Sequence, residues 1–226
     1  MVSDWKTLYE LQDWTLARIR TIEHGLYLTG GTALSRAYCG HRYSEDLDFF
    51  ANDAPEFELW RDRCLADLER SARDANWRLE ILLRESRFGR AVLHGPCLLK
   101  LEFVNDVPFR VGEPVVHPAL GRLDTRENIT ANKISAIVDR QAPKDQADIY
   151  WLCCREGLRL VDAMNQATGK AAGIFPPFVA RALHQVLRHG VPNVAWILRP
   201  GEDDFRRGIE SLVSQVMNGA DDRPHQ

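Results

Sequence analysis

The chain has 226 residues, 45% of them hydrophobic and 27% charged, a globular composition that excludes intrinsic disorder and a need for disulfide staples. At ~150 residues per domain, this length holds one domain or a domain with an appendage. A net charge of −3, from 29 basic and 32 acidic residues, excludes coating nucleic acid by bulk positive charge, so any such contact needs a local basic face.

Trp5, Leu8, Leu11, Leu16 and Ile19 recur near helical spacing and predict an opening helix with Ser3 as its N-cap. The apolar run Leu26-Tyr27-Leu28 ends at Gly30-Gly31, and residues 32–39 read as a short helix. Residues 46–50 read as a strand with its acids on one face. Residues 56–75 form a long helix with Phe57, Trp60, Cys64, Leu65 and Leu68 on one side. Three strands follow, 77–84, 91–94 and 98–104, with Phe88-Gly89-Arg90 and Gly95-Pro96 as turns between them. Residues 108–118 are extended and proline-bounded, an edge strand. From Arg126 the pattern turns helical, over 127–140, 145–156, 161–171, 177–189 and 203–218, with Pro143, Pro176 and Pro200 between pieces. The tail 221–226 reads as solvated and frayed. The layout is an α/β half followed by an all-helical half.

The five cysteines are odd in number and form no C-x-x-C, which suits neither a metal knuckle nor a disulfide framework. The start of the chain is charged and lacks the apolar stretch of a signal peptide, and no apolar run approaches the ~18 residues of a membrane span. A cytoplasmic protein with no membrane partner is expected. Seven histidines without H-x-x-x-H spacing give no zinc motif, and no G-x-S-x-G offers a serine nucleophile.

Asp46-Leu47-Asp48 is the most informative triplet. Alternation puts both carboxylates on one face and Leu47 on the other. Such a pair is either a solvated strand face or a site where a divalent cation bridges the acids; oxygen-only ligands suit Mg²⁺. Leu47 and Phe49-Phe50 mark the strand as buried. Upstream, Gly30, Gly31 and Thr32 link an apolar strand to a helix, either as an ordinary turn or as a backbone cradle for phosphate. In 98–104, Lys100 and Glu102 share one face, and a neighbouring strand could bring Glu102 beside Asp46 and Asp48. Three carboxylates holding two metal ions form the clamp of in-line displacement at a nucleotide phosphate. The other reading is a half-exposed edge strand. Lys133, Ala136 and Arg140 lie on one stripe of their helix, where Lys133 reads by itself as a solvated lysine. Asp145 and Asp148 open the next helix, where acids favour the helix dipole; Asp145 can also pair with Lys144 or Arg140. Arg181, His184 and Arg188 form a polar stripe opposite Val179, Leu183 and Val186, the wet face of an amphipathic helix or an RNA contact.

Taken together, Gly30-Gly31-Thr32, Arg42-x-Ser44-x-Asp46-Leu47-Asp48-Phe49, Lys100-x-Glu102, Asn132-Lys133-Ile134-Ser135-Ala136, Arg140 and Lys144-Asp145-x-x-Asp148 resemble the AbiEii/AbiGii toxin family of nucleotidyltransferases. The resemblance runs from about Leu26 to Leu152. It implies an α+β fold: a polymerase-β-like nucleotidyltransferase core, a mixed sheet with flanking helices, over 1–125, and a helical domain over 126–226 that completes the nucleotide site. It implies Mg²⁺ at a two-metal site on Asp46, Asp48 and Glu102. Many polymerase-β-like enzymes carry Asp where this chain has Glu102. The nucleotide would be held by Gly30, Gly31, Thr32, Arg42 and Ser44, with Lys133 on the triphosphate and Asp145 and Asp148 positioning it. The implied partners are an NTP, a cognate antitoxin and a tRNA acceptor; if the acceptor is RNA, the stripe of Arg181, His184 and Arg188 is the expected contact. Two other readings are a small-molecule enzyme of the aminoglycoside nucleotidyltransferase type and a catalytically inactive binding module of the same fold.

Overall fold

Alternation between buried Leu47, Phe49 and Ala51 and half-buried Asp48, Phe50 and Asn52 sets the register of the sheet on which the acids stand. A computed structural model describes residues 4–221, with side chains through 218, and the chain divides into two units. The first comprises residues 4–37, Tyr43–Pro108 and Glu113–Asp124. The second comprises Tyr38–Arg42, Phe109–Gly112 and residues from Thr125 onward.

In the first unit, α1 (Trp5–Ile19) is followed by β1 (Tyr27–Thr29) and by a single turn α2 (Gly30–Ala33), which continues as a π-helical segment, Leu34–Cys39. Next come β2 (Leu47–Asn52), α3 (Phe57–Asp74), β3 (Arg78–Arg84), β4 (Phe88–His94), β5 (Leu98–Asp106), β6 (Val115–His117) and β7 (Gly121–Leu123). Among the described residues, seven strands form one mixed sheet in the order β3-β4-β5-β2-β1-β7-β6. β2 runs parallel to β5 and antiparallel to β1. Leu8, Leu11, Leu16 and Ile19 of α1 and Phe57, Cys64, Leu65 and Leu68 of α3 supply the buried faces of these helices. The strands bury Leu47, Phe49, Leu99, Leu101 and Phe103, leaving the carboxylates on the half-buried face.

Three local expectations change. The proposed cap Ser3 lies outside the described residues, and α1 is capped by Asp4, whose carboxylate accepts from the N–H groups of Lys6 and Thr7. Phe88-Gly89-Arg90 is the start of β4 and not a turn, the reversal falling at 85–87. Gly89 is there because Arg61 lies across it: a Cβ would sit 2.6 Å from Arg61 Cδ. The 108–118 stretch contributes only β6, the edge strand, which pairs with the unforeseen β7. The tail 222–226 also lies outside the described residues.

The second unit contains α4 (Arg126–Asp139), α5 (Pro143–Tyr150), its π-helical continuation Trp151–Arg155, α6 (Leu160–Ala167), α7 (Pro176–His189) and α8 (Glu202–Asp221). Pro143 and Pro176 are first helical residues, where a missing N–H costs nothing. Ile134 and Ile137, Leu160 and Met164, Val179 and Leu183, and Phe205 and Ile209 build its core. No helix among the described residues is long and apolar enough to cross a membrane.

Candidate active site

The first constellation lies within the sheet unit. Register pairs Thr29 with Asp48, Asp48 with Glu102, and Glu102 with Arg90, so one row of side chains crosses four strands. The backbone leading into β2 is held from two sides. Gln12, fully buried in α1, donates through Nε2 to the carbonyls of Ser44 (3.0 Å) and Glu45 (3.3 Å). The Thr32 hydroxyl donates to the carbonyl of Asp46. Ser44 is buried and its N–H donates to the Tyr9 hydroxyl at 3.3 Å.

Gly30 sits directly under the acid of β2. Its φ is +68°, and a Cβ there would lie 2.5 Å from Asp48 Oδ2. Both facts demand glycine: L side chains avoid that backbone region, and the carboxylate fills the space a side chain would need. Gly31 and Thr32 are buried behind it. On β1, the neighbouring Thr29 hydroxyl donates to the buried Asp124 carboxylate at 2.6 Å.

Two cations serve the acids. Arg90 reaches Glu102 Oε1 through Nε (2.9 Å) and Nη2 (2.8 Å). Lys100 Nζ lies 3.0 Å from Asp46 Oδ2 and 3.4 Å from Glu102 Oε1. Burial alone would lower the Lys100 pKa; the hydrogen bond and charge of Asp46, with Glu102 and Asp48, outweigh it and raise the value. The acids therefore create a place for positive charge. Among the described residues, no three His, Cys, Asp or Glu side chains stand together as a ready metal cluster. The donors are all carboxylate oxygens and an ammonium already bridges two of them, which fits a hard cation such as Mg²⁺.

The second constellation belongs to the helical unit. Lys133 is buried and donates to Asp145 Oδ1 and Asp148 Oδ2, each at 2.7 Å. Asp145 also accepts from Arg140 Nε at 2.8 Å. Asp148 accepts from Arg42 through Nε (2.7 Å) and Nη2 (2.8 Å), a bidentate pair. His41 Nε2 stands 2.8 Å from Asp148 Oδ1, and since an ionised carboxylate only accepts, that nitrogen carries the proton. His41 stacks on Trp151 at 5.4 Å, and its carbonyl accepts from the N–H groups of Ile197 and Leu198.

Burial would raise the carboxyl of Asp148, but Arg42, Lys133 and the His41 hydrogen bond hold it well below the usual range. Asp145 is lowered in the same way, chiefly by Lys133 against its own burial. Burial would depress Lys133, and the two aspartates reverse this and raise it. Lys133 is thus no solvated helix lysine. An ammonium has three N–H donors, and two of those on Lys133 are committed to aspartates.

Arg42, expected at the nucleotide, gives two of its donors to Asp148. His41, Arg90, Lys100 as a cation on Asp46, and the Thr29–Asp124 pair were not singled out by sequence reasoning. Arg181, His184 and Arg188 are exposed along one side of α7, with the Arg181 guanidinium 5.5 Å from the Phe178 ring centroid. Arg199 and Arg207, nearby in sequence, are paired with Glu202 and Asp204.

The chain is similar over 95–100% of its length to three solved structures. They are a putative nucleotidyltransferase from H. pylori (17% identity, TM-score 0.65, all of both chains), JHP933 from Helicobacter pylori (16%, 0.61, 98% of this chain and 97% of that one) and MenT4, the nucleotidyltransferase toxin Rv2826c from Mycobacterium tuberculosis H37Rv (14%, 0.64, 95% and 84%). At these identities the likeness establishes the fold, an α+β nucleotidyltransferase fold of the polymerase-β kind. No curated protein matches the chain. The model of the family described as nucleotidyl transferase AbiEii toxin, type IV toxin–antitoxin system, matches residues 14–218, which takes in both the sheet acids and the Lys133 network. The chain therefore belongs to the AbiEii family of toxin–antitoxin nucleotidyltransferases and is a nucleotidyl-transfer enzyme.

Proposed function

We propose that this enzyme transfers a nucleoside monophosphate from an NTP to a hydroxyl near the 3′ end of tRNA, with Mg²⁺ held by Asp46 and Asp48. The reading is carried by one observation: a glycine at φ +68° brings its α-carbon against the Asp48 carboxylate, while register sets Glu102 beside it. A strand acid packed this closely against its neighbour's backbone is fixed in position, which supports a role in holding the metal.

The acceptor hydroxyl attacks the α-phosphorus, forming a new O–P bond as the bond to the bridging α–β oxygen breaks; pyrophosphate leaves and the hydroxyl proton is released. Mg²⁺, when bound, supplies the positive charge that stabilises the transition state. Gly30, Gly31 and Thr32 orient phosphate through their backbone. Glu102 completes the acidic set. Lys133 offers its third N–H to the triphosphate, while Asp145 and Asp148 fix its position. Arg42 acts through Asp148, and Ser44 through the loop that aims Asp46. The exposed stripe of Arg181, His184 and Arg188 supports an RNA backbone as acceptor, because a chain of net charge −3 needs such a local face. As a type IV toxin, the enzyme has a cognate antitoxin as its further partner.

The test is incubation with each labelled NTP and total tRNA, with and without Mg²⁺. Label should enter RNA only with the metal. In a parallel incubation with an aminoglycoside in place of tRNA, label entering the drug would favour the small-molecule reading, and no turnover with either acceptor would overturn the proposed reaction.

A further inference from the structure

Lys100 is placed unlike the other cation of the acidic row. Arg90 grips Glu102 with two nitrogens of a planar fork. Lys100 touches two carboxylates with a single ammonium on a flexible stem, and 37% of its side chain is exposed, against 20% for Asp46. Its contact with Asp46 is made at Oδ2, one of the two oxygens this carboxylate can offer to a metal. A divalent ion binds carboxylate oxygen at about 2.0–2.1 Å. An ammonium 3.0 Å from the same oxygen would then stand beside a doubly charged ion, and the two repel. Lys100 can relieve that repulsion by swinging outward, because a lysine head returns to water while its stem stays packed. Arg90 has no such freedom without giving up both its bonds.

We propose that Lys100 is the resting occupant of the cation site, neutralising Asp46 and Glu102 in the metal-free enzyme, and that a divalent ion enters by displacing its ammonium. This rests on the reading of Asp46 and Asp48 as metal ligands. It makes metal affinity a competition set by the chain's own lysine. It also lets the acids stay together when no metal is bound.

The experiment is a titration of the full chain with Mn²⁺ alone, without nucleotide, following free Mn²⁺ by electron paramagnetic resonance. Lys100→Met and Lys100→Gln should each bind Mn²⁺ about tenfold more tightly than the wild type, since no ammonium has to leave two half-buried carboxylates. Lys100→Arg, which keeps the charge, should bind no more tightly than the wild type. In metal-free buffer, Lys100→Met should melt below the wild type and recover the difference on adding Mn²⁺. Equal or weaker Mn²⁺ affinity in both neutral variants would overturn the displacement and leave the metal assignment standing. No Mn²⁺ bound by the wild type or either variant would overturn both.

Discussion

Asp148→Asn removes a charge that three cationic or proton-donating groups converge on. The side chain is fully buried and keeps its shape, so the change is electrostatic. Without it, the buried charges of Lys133 and Arg42 and the exposed guanidinium of Arg140 face Asp145 alone, and these carboxylates and cations go from a net +1 to +2. Breaking a buried ion pair by removing one partner costs about 3–5 kcal/mol. Asparagine keeps one accepting oxygen and Asp145 still meets Lys133, so the lower end, about 3 kcal/mol, is expected. For a chain of this length that is a fall in Tm of roughly 6–12 °C. The sign with pH follows from the lowered carboxyl of Asp148. Its contribution is fully present above the unfolded-state value of about 3.9 and is lost as pH falls through the lower folded value. Urea unfolding of both proteins, read by tryptophan fluorescence, should show the full gap at neutral pH and a shrinking gap below about pH 4. A gap under about 1 kcal/mol at neutral pH, the scale of an exposed pair, would refute the buried-network argument. So would a gap that does not change down to pH 3.

Gly30→Ala should cost about 1–2 kcal/mol for the left-handed backbone and, by pushing on Asp48, reduce transfer by more than tenfold. Gly173→Ala, at φ +85° with open space around it, is the control that carries the strain without the clash; equal activities would detach Gly30 from the site. Glu102→Gln should slow transfer by about a hundredfold and Glu102→Asp by less, if this carboxylate assists the attacking hydroxyl. Wild-type rates in both would leave it a structural partner of Arg90 and Lys100. Arg181→Glu/Arg188→Glu should abolish labelling of tRNA, spare NTP binding and flatten the salt dependence of RNA binding by ~1–2 log units per log unit of salt. Loss of NTP binding with intact RNA affinity would overturn the division of roles.

The acidic face was legible because a strand has a period of two: Leu47 and Phe49 declare the inner face, and Asp46 and Asp48 fall on the other. Which strand lies beside them was not. The parallel pairing that sets Glu102 against Asp48 joins residues separated by a helix and two strands, and no local pattern encodes it. Arg90 was lost to a turn because Gly89 looks like a breaker, whereas its missing side chain makes room for Arg61. Lys133 carried a signal that went unused. It stands four residues after Ile129 and four before Ile137, both fully buried, so it belongs to the apolar stripe of α4 rather than to its wet face. A lysine on such a stripe must have acids to meet, and Asp145 and Asp148 on the following helix are candidates within reach of a helix hairpin. His41 and Arg42 could not be found in this way, since they meet Asp148 from more than a hundred residues away.

The five residues Tyr38–Arg42 belong to the helical unit although the sheet unit surrounds them in sequence. A fragment starting at Thr125 would retain all five numbered helices of that unit and still leave behind the imidazole and guanidinium that Asp148 was built around. The halves are therefore not interchangeable modules. A chimera that replaces the helical half from Thr125 onward must carry its own matching pentapeptide at 38–42 if its buried aspartate is to keep these partners.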